Sequence, residues 1–182
     1  MARRADPARR DELLDEVMEA VAQIGLGNLS LRALGRELGV SPRTLLYHFD
    51  SREGLLDAIV AETSRRLAAA GATLGGTLPE IVGASWAWMT RPGQRGFLNV
   101  FYEVCALGAR DRVRRRTVAS SLFTDWHALL VARGVPDASA TLLLATLHGL
   151  LLDYVLTGER ARIERAFAAF IASLSPKGKV HR

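Results

Sequence analysis

The chain has 182 residues, enough for one large domain or two small ones, and a chain of this length buries about 70% of its unfolded surface without needing covalent staples. Cys105 is the only cysteine, which excludes an intrachain disulfide and a cysteine metal cage and fits a reducing cytosol. The formal charge of +5 points to an acidic partner, but it is unevenly spread: residues 1–62 hold eight Lys and Arg against eleven Asp and Glu, whereas 63–182 hold sixteen against eight.

The opening stretch MARRADPARRDELLDEV is charged and has no apolar centre, so it is not a secretory signal. Asp6-Pro7 predicts a helix start, with proline at the first helical position. That helix places Leu13, Leu14, Val17, Met18 and Val21 on one side and Asp11, Glu12, Asp15, Glu16 and Glu19 on the other, and Gly25-Leu26-Gly27 ends it. Ser30 caps a second helix carrying Leu31, Leu34 and Leu38, which Gly39 stops. Ser41 caps a third, with Pro42 at its first position. Asp50 or Ser51 caps a fourth, over about 51–70, and Asp50 with Glu53 has the spacing of a capping box.

AAAGATLGGT is a joint of small residues. Beyond it, Thr77 with Glu80 predicts a capped helix through about Thr90, RPGQRG breaks it, and helical patterns follow over about 95–107, 110–133, 137–157 and 160–174. The longest uncharged run, Ala138 to Leu152, falls short of the ~20 residues of a membrane span and reads as a buried helix. No alternating strand pattern appears. The expected fold is all-α: an N-terminal three-helix unit over 1–62 and a larger helical body over 63–182.

Two short helices joined through a glycine, the second entered by Ser-Pro, make a helix-turn-helix. Gly39 can turn the chain sharply, while Leu34, Val40 and Leu45 pack the pair against the first helix. Pro42, Arg43, Thr44, Tyr47 and His48 then face outward on a helix whose N-terminal half is presented to a major groove. Arg43 has the chemistry to read guanine, and Pro42 and the Thr44 methyl suit a thymine methyl.

The stretch from Leu13 to Glu62 resembles the DNA-binding domain of the tetracycline-repressor (TetR) family. The resemblance is carried by Gly39-Val40-Ser41, Thr44-Leu45, His48-Phe49, Ser51-Arg52-Glu53 and Leu55-Leu56 at the family's spacing. It implies that Ser30 and Arg32 open a helix contacting backbone or base, that Ser41, Thr44, Tyr47 and His48 contact phosphates and bases, and that Arg52 replaces a phosphate-binding Lys at a helix N-terminus. Arg3, Arg4, Arg9 and Arg10 are expected to form an arm along the DNA. Two departures stand out. Leu46 replaces a usual Tyr, and Pro42-Arg43 replaces a common Lys-Gly, which makes Arg43 the expected base reader.

The resemblance further implies a ligand pocket in the body and a dimer through the last two long helices, about 137–157 and 160–174. Candidate pocket residues are Trp86, Met89, Asn99, Phe101, Tyr102, Glu103, Cys105, Phe123, Trp126 and His127, a mostly apolar set with a few polar groups. Plain core packing explains the same aromatics. The basic run Arg110 to Arg116 is either a solvated face or a second anion site. Four scattered histidines without ligand spacing argue against a metal, and no catalytic or cofactor fingerprint is present.

The sequence therefore points to a cytoplasmic, non-enzymatic transcriptional regulator with no cofactor and no membrane segment. It is expected to be a ligand-released repressor that binds double-stranded DNA at a near-palindromic operator as a homodimer, its effector a largely apolar small molecule. The competing reading is a helical small-molecule-binding or enzymatic protein with a vestigial DNA-binding domain.

Overall fold

The computed structural model describes residues 6–72 and 75–174, all helix and connecting turns with no strand among them. The helices are α1 (Pro7–Ile24), α2 (Leu31–Glu37), α3 (Pro42–Phe49), α4 (Arg52–Ala72), α5 (Leu78–Thr90), α6 (Arg95–Arg110), α7 (Arg112–Ala119), α8 (Asp125–Ala132), α9 (Asp137–Thr157) and α10 (Arg160–Leu174). A π-helical segment, Ser120–Thr124, joins α7 to α8. The expected helix over 110–133 is thus interrupted at residues whose spacing gives no warning.

The helix starts follow local side-chain chemistry. Asp6 accepts from the Ala8 N–H, Ser30 from Ala33, Ser41 from Thr44 and Ser51 from Gly54, each satisfying a donor that an α-helix leaves unpaired. The Glu80 carboxylate accepts from both the N–H and the hydroxyl of Thr77 at the head of α5. At α4 the cap is Ser51; the capping box expected from Asp50 does not form, because Asp50 ends α3 at φ 63.

The fold divides into two compact units, Met1–Leu67 with Gly96–Trp126 and Ala68–Arg95 with His127–Arg182. In the first unit Leu13, Val17, Val21, Leu34, Leu45, Leu55 and Ile59 are all but inaccessible to water. Arg66 ties α4 to α1 through Asp15, and Glu62, itself buried, accepts from both Arg65 and Arg66. Burial alone would raise the Glu62 pKa, but these two arginines outweigh it and hold the carboxyl below its ordinary range.

In the second unit Val82, Leu130, Ala140 and Leu143 form a core against which Leu78, Leu147, Phe167, Phe170, Ile171 and Leu174 pack. Trp86 and Phe167 stack at 4.3 Å. α9 is not buried on every side, as the sequence suggested. It buries Ala140, Leu143 and Leu151 but leaves Leu142, Leu152 and Leu156 exposed. By length and composition its 21 residues suffice to cross a membrane. Within this chain, its inner side packs in the core of the second unit.

Candidate nucleic-acid interface

The helix-turn-helix is set by two close backbone contacts. Gly39 adopts φ 64, a conformation that strains any side chain, and redirects the chain after α2. A Cβ at Gly35 would lie 2.6 Å from the Val40 carbonyl oxygen, so α2 meets the turn at a distance only glycine allows. The Val40 N–H donates to the Gly35 carbonyl across the same turn.

Leu45 and Phe49 are buried and fix the rotation of α3. Pro42, Arg43, Leu46 and Tyr47 are consequently exposed. Leu46 and Tyr47 are unusually open for their type, at 40% and 47%. Leu46 belongs to the outward face as well, which the motif alone does not suggest; it lies one turn beyond Pro42. Thr44 is half-buried, its hydroxyl 2.8 Å from that of Ser41. His48 is half-buried as well, and its Nδ1 is enclosed without a hydrogen-bond partner, so only Nε2 remains for an outside contact.

Around α3, Ser30 and Arg32 are exposed at the head of α2, and Arg52 is exposed at the first position of α4. A shallow groove of about 560 Å³ is lined by Arg32, Gly35, Arg36, Val40 and Pro42. Arg36 is a second cation here, absent from the residues that the motif singles out. Its i,i+4 spacing from Arg32 is the sequence signal that points to it.

Arg3 and Arg4 lie outside the described residues. Arg9 and Arg10 are not part of an arm; both sit in α1. Arg9 pairs with Glu12 and Glu16, while Arg10 donates to the His48 carbonyl at 3.3 Å and lies over the Phe49 ring. A cation at the carbonyl end of a helix is favourable, so Arg10 pins the end of α3 to α1.

Residues 13–59 match the family model of bacterial regulatory proteins, tetR family. That stretch holds the helix-turn-helix, so the likeness to the tetR family lies in the segment that presents α3. It is 34% identical over 64 residues to the HTH-type transcriptional regulator BetI of Ectopseudomonas mendocina, a match covering 35% of this chain and 33% of that protein. The chain thus spans about a third of that relative's length. Two solved structures resemble it over nearly its whole length. A tetR-family member from Streptomyces coelicolor A3 is 27% identical with a TM-score of 0.72, covering 92% of this chain and 98% of that one. The multidrug binding protein EbrR, in complex with imidazole, is 28% identical with a TM-score of 0.67, covering 93% and 96%. By name the proteins matched are a transcriptional regulator, a tetR-family member and a multidrug binding protein.

The residues expected to hold a ligand fall in both units. Trp86, Met89 and His127 belong to the second. Trp86 and Met89 are buried, and His127 Nε2 lies 3.3 Å from the Asp137 carbonyl oxygen. Asn99, Phe101, Tyr102, Glu103, Cys105, Phe123 and Trp126 belong to the first. Phe101 is buried edge-on to Tyr102, while Asn99 and Phe123 are exposed and Trp126 is half-buried. Glu103 is engaged within the protein: its Oε2 accepts the Leu26 N–H at 2.5 Å, tying α6 to the chain just after α1. Burial pushes the Cys105 thiol up to about 11, which makes it a poor nucleophile.

Ser41→Ala removes the cap that orients α3. It is expected to cost about 1 kcal/mol of stability, read by urea denaturation. A loss below about 0.3 kcal/mol would show that the Ser41 oxygen contributes nothing to the helix start.

Proposed function

We propose that this protein is a cytoplasmic tetR-family transcriptional repressor that binds a near-palindromic operator as a homodimer and is released by a small, largely apolar effector. The observation that carries this reading is the presentation of α3. Two backbone contacts at Gly35 and Gly39 set its angle, Leu45 and Phe49 set its rotation, and Arg43 is left on the outward face. Arg32 on α2 and Arg52 at the head of α4 add cations, and the α4 N-terminus adds unpaired N–H groups that favour a phosphate. Residues 1–62 read the DNA in this scheme, and 63–182 serve effector binding and assembly.

Arg43 reads a base, while Ser30, Ser41, Thr44, Tyr47, His48 and Arg52 hold backbone phosphates; Pro42, with Leu46 beside it, offers an apolar surface to a thymine methyl. Arg43→Ala is therefore expected to cost about 1–3 kcal/mol on the operator and to relax preference at one base pair, while Arg52→Ala weakens all sequences alike. Capturing bound fragments of the source organism's DNA supplies the operator, and titration across its single-base variants makes the comparison. Arg43→Ala with unchanged affinity and unchanged preference would remove it as a base reader.

The effector reading is supported by the ligand complexes of EbrR, which include imidazole and proflavin. A ligand releases DNA only if it prefers the conformation that fits DNA poorly. The Glu103 bond from α6 to Leu26 offers a path, because a ligand that displaces α6 disturbs the chain at the end of α1. The dimer reading is supported by the exposed leucines of α9.

A further inference from the structure

Residues 1–67 carry ten arginines against eleven Asp and Glu, so the segment that would meet DNA is itself slightly acidic. The other stretch of the same unit, Gly96–Trp126, adds Arg110, Arg112, Arg114, Arg115 and Arg116 against three carboxylates. Arg110 donates back to the Ala106 carbonyl of its own helix, and the other four divide into two kinds. Arg114 is only 13% exposed and acts as a clamp: it donates to Asp57 at 2.7 Å, to the Glu53 carbonyl at 3.1 Å and to Asp111. Arg112, Arg115 and Arg116 are exposed, and none is in an ion pair among the described residues. Arg115 donates to the Ala109 carbonyl.

The clamp decides where these charges sit. Glu53 and Asp57 belong to the first two turns of α4, and Glu53 follows Arg52 directly. The head of α7 is therefore held beside the end of α4 that is expected to meet a phosphate. We propose that Arg112, Arg115 and Arg116 form an accessory phosphate-binding surface that engages duplex DNA outside the stretch read by α3. The proposal rests on the DNA-binding reading above and adds a further part to that interface. The surface contributes affinity and salt dependence but no base preference, because guanidinium–phosphate pairing carries no sequence information. It also accounts for how an N-terminal segment without net positive charge approaches a polyanion.

The test is the salt dependence of binding to a duplex of arbitrary sequence, about 40 base pairs long, followed by fluorescence anisotropy between about 50 and 200 mM salt. Each phosphate that is no longer neutralised lowers the log–log slope by about 0.9. The full-length triple variant Arg112→Gln, Arg115→Gln, Arg116→Gln is expected to show a slope lower by about 2–3 and an affinity reduced about tenfold to a hundredfold at the low-salt end. A charge-matched control, Arg91→Gln, Arg133→Gln, Arg165→Gln, removes the same charge from the other unit and is expected to keep the slope within about 0.3 of the wild type. Circular dichroism checks that both fold, and the single variant Arg112→Gln, with an expected slope change of about 0.9, serves if the triple does not. A wild-type slope in the α7 variant, with wild-type binding intact, overturns the accessory surface alone. Equal reductions in both triple variants overturn it too, since bulk charge then suffices. Absence of any DNA binding by the wild type overturns both this proposal and the reading on which it rests.

Discussion

Leu142→Glu is expected to yield monomers at micromolar concentration and to weaken operator binding about a hundredfold or more, while leaving the chain folded. Leu142 is 66% exposed, and Leu152 and Leu156 continue the same side of α9 at 39% and 74%. Gly149 lies between them with nothing within 4 Å of a Cβ built on it, so a second backbone has room to approach. An apolar stripe of this kind on a water-facing helix suits an interface, and in the dimer proposed above two copies related by a two-fold axis cover it. A carboxylate there costs little in a monomer but must be desolvated twice in the dimer. The operator then loses the second half-site, whose binding depends on tethering to the first. Sedimentation gives the assembly state and titration the affinity. Wild-type protein that sediments as a monomer, or a monomeric variant with full operator affinity, would overturn the dimer reading.

Phe167→Glu is expected to unfold the second unit, with a stability loss above about 4 kcal/mol, rather than merely separate subunits. The α10 stripe Ile163, Phe167, Phe170, Ile171, Leu174 suggests from the sequence a surface for a second chain. In the structure that stripe is used inside the protein. Ile163 is buried, Phe167 lies parallel to Trp86 at 4.3 Å, and Phe170, Ile171 and Leu174 pack on the Val82–Leu143 core. Phe167→Ala should cost about 3 kcal/mol through the cavity it leaves, and the glutamate adds the penalty of a charge without a partner. Urea denaturation followed by tryptophan fluorescence reports both, with Trp86 as the stacked probe. A Phe167→Glu protein with a wild-type unfolding midpoint and monomeric sedimentation would return α10 to the interface.

What the sequence by itself determined is the local part of the fold. Asp6-Pro7, Ser30, Ser41-Pro42 and the Thr77–Glu80 pair marked helix starts that the structure reproduces, because capping joins groups two or three residues apart and needs no distant partner. Gly39 at φ 64 and the burial of Leu34 and Leu45 follow from the same short-range logic, and with them the outward face of α3. The tertiary structure decided everything that depends on which helix meets which. Arg10 leaves the expected arm because Phe49 and the His48 carbonyl lie beside α1, and Glu103 is engaged within the protein because the Leu26 N–H lies beside α6. α9 carries leucines all round, so its periodicity singles out no inner side; only the positions of α5 and α10 bury Leu143 and leave Leu142 exposed. Contacts between residues far apart in the chain arise from the summed packing of many side chains, and no spacing within a single helix encodes that sum.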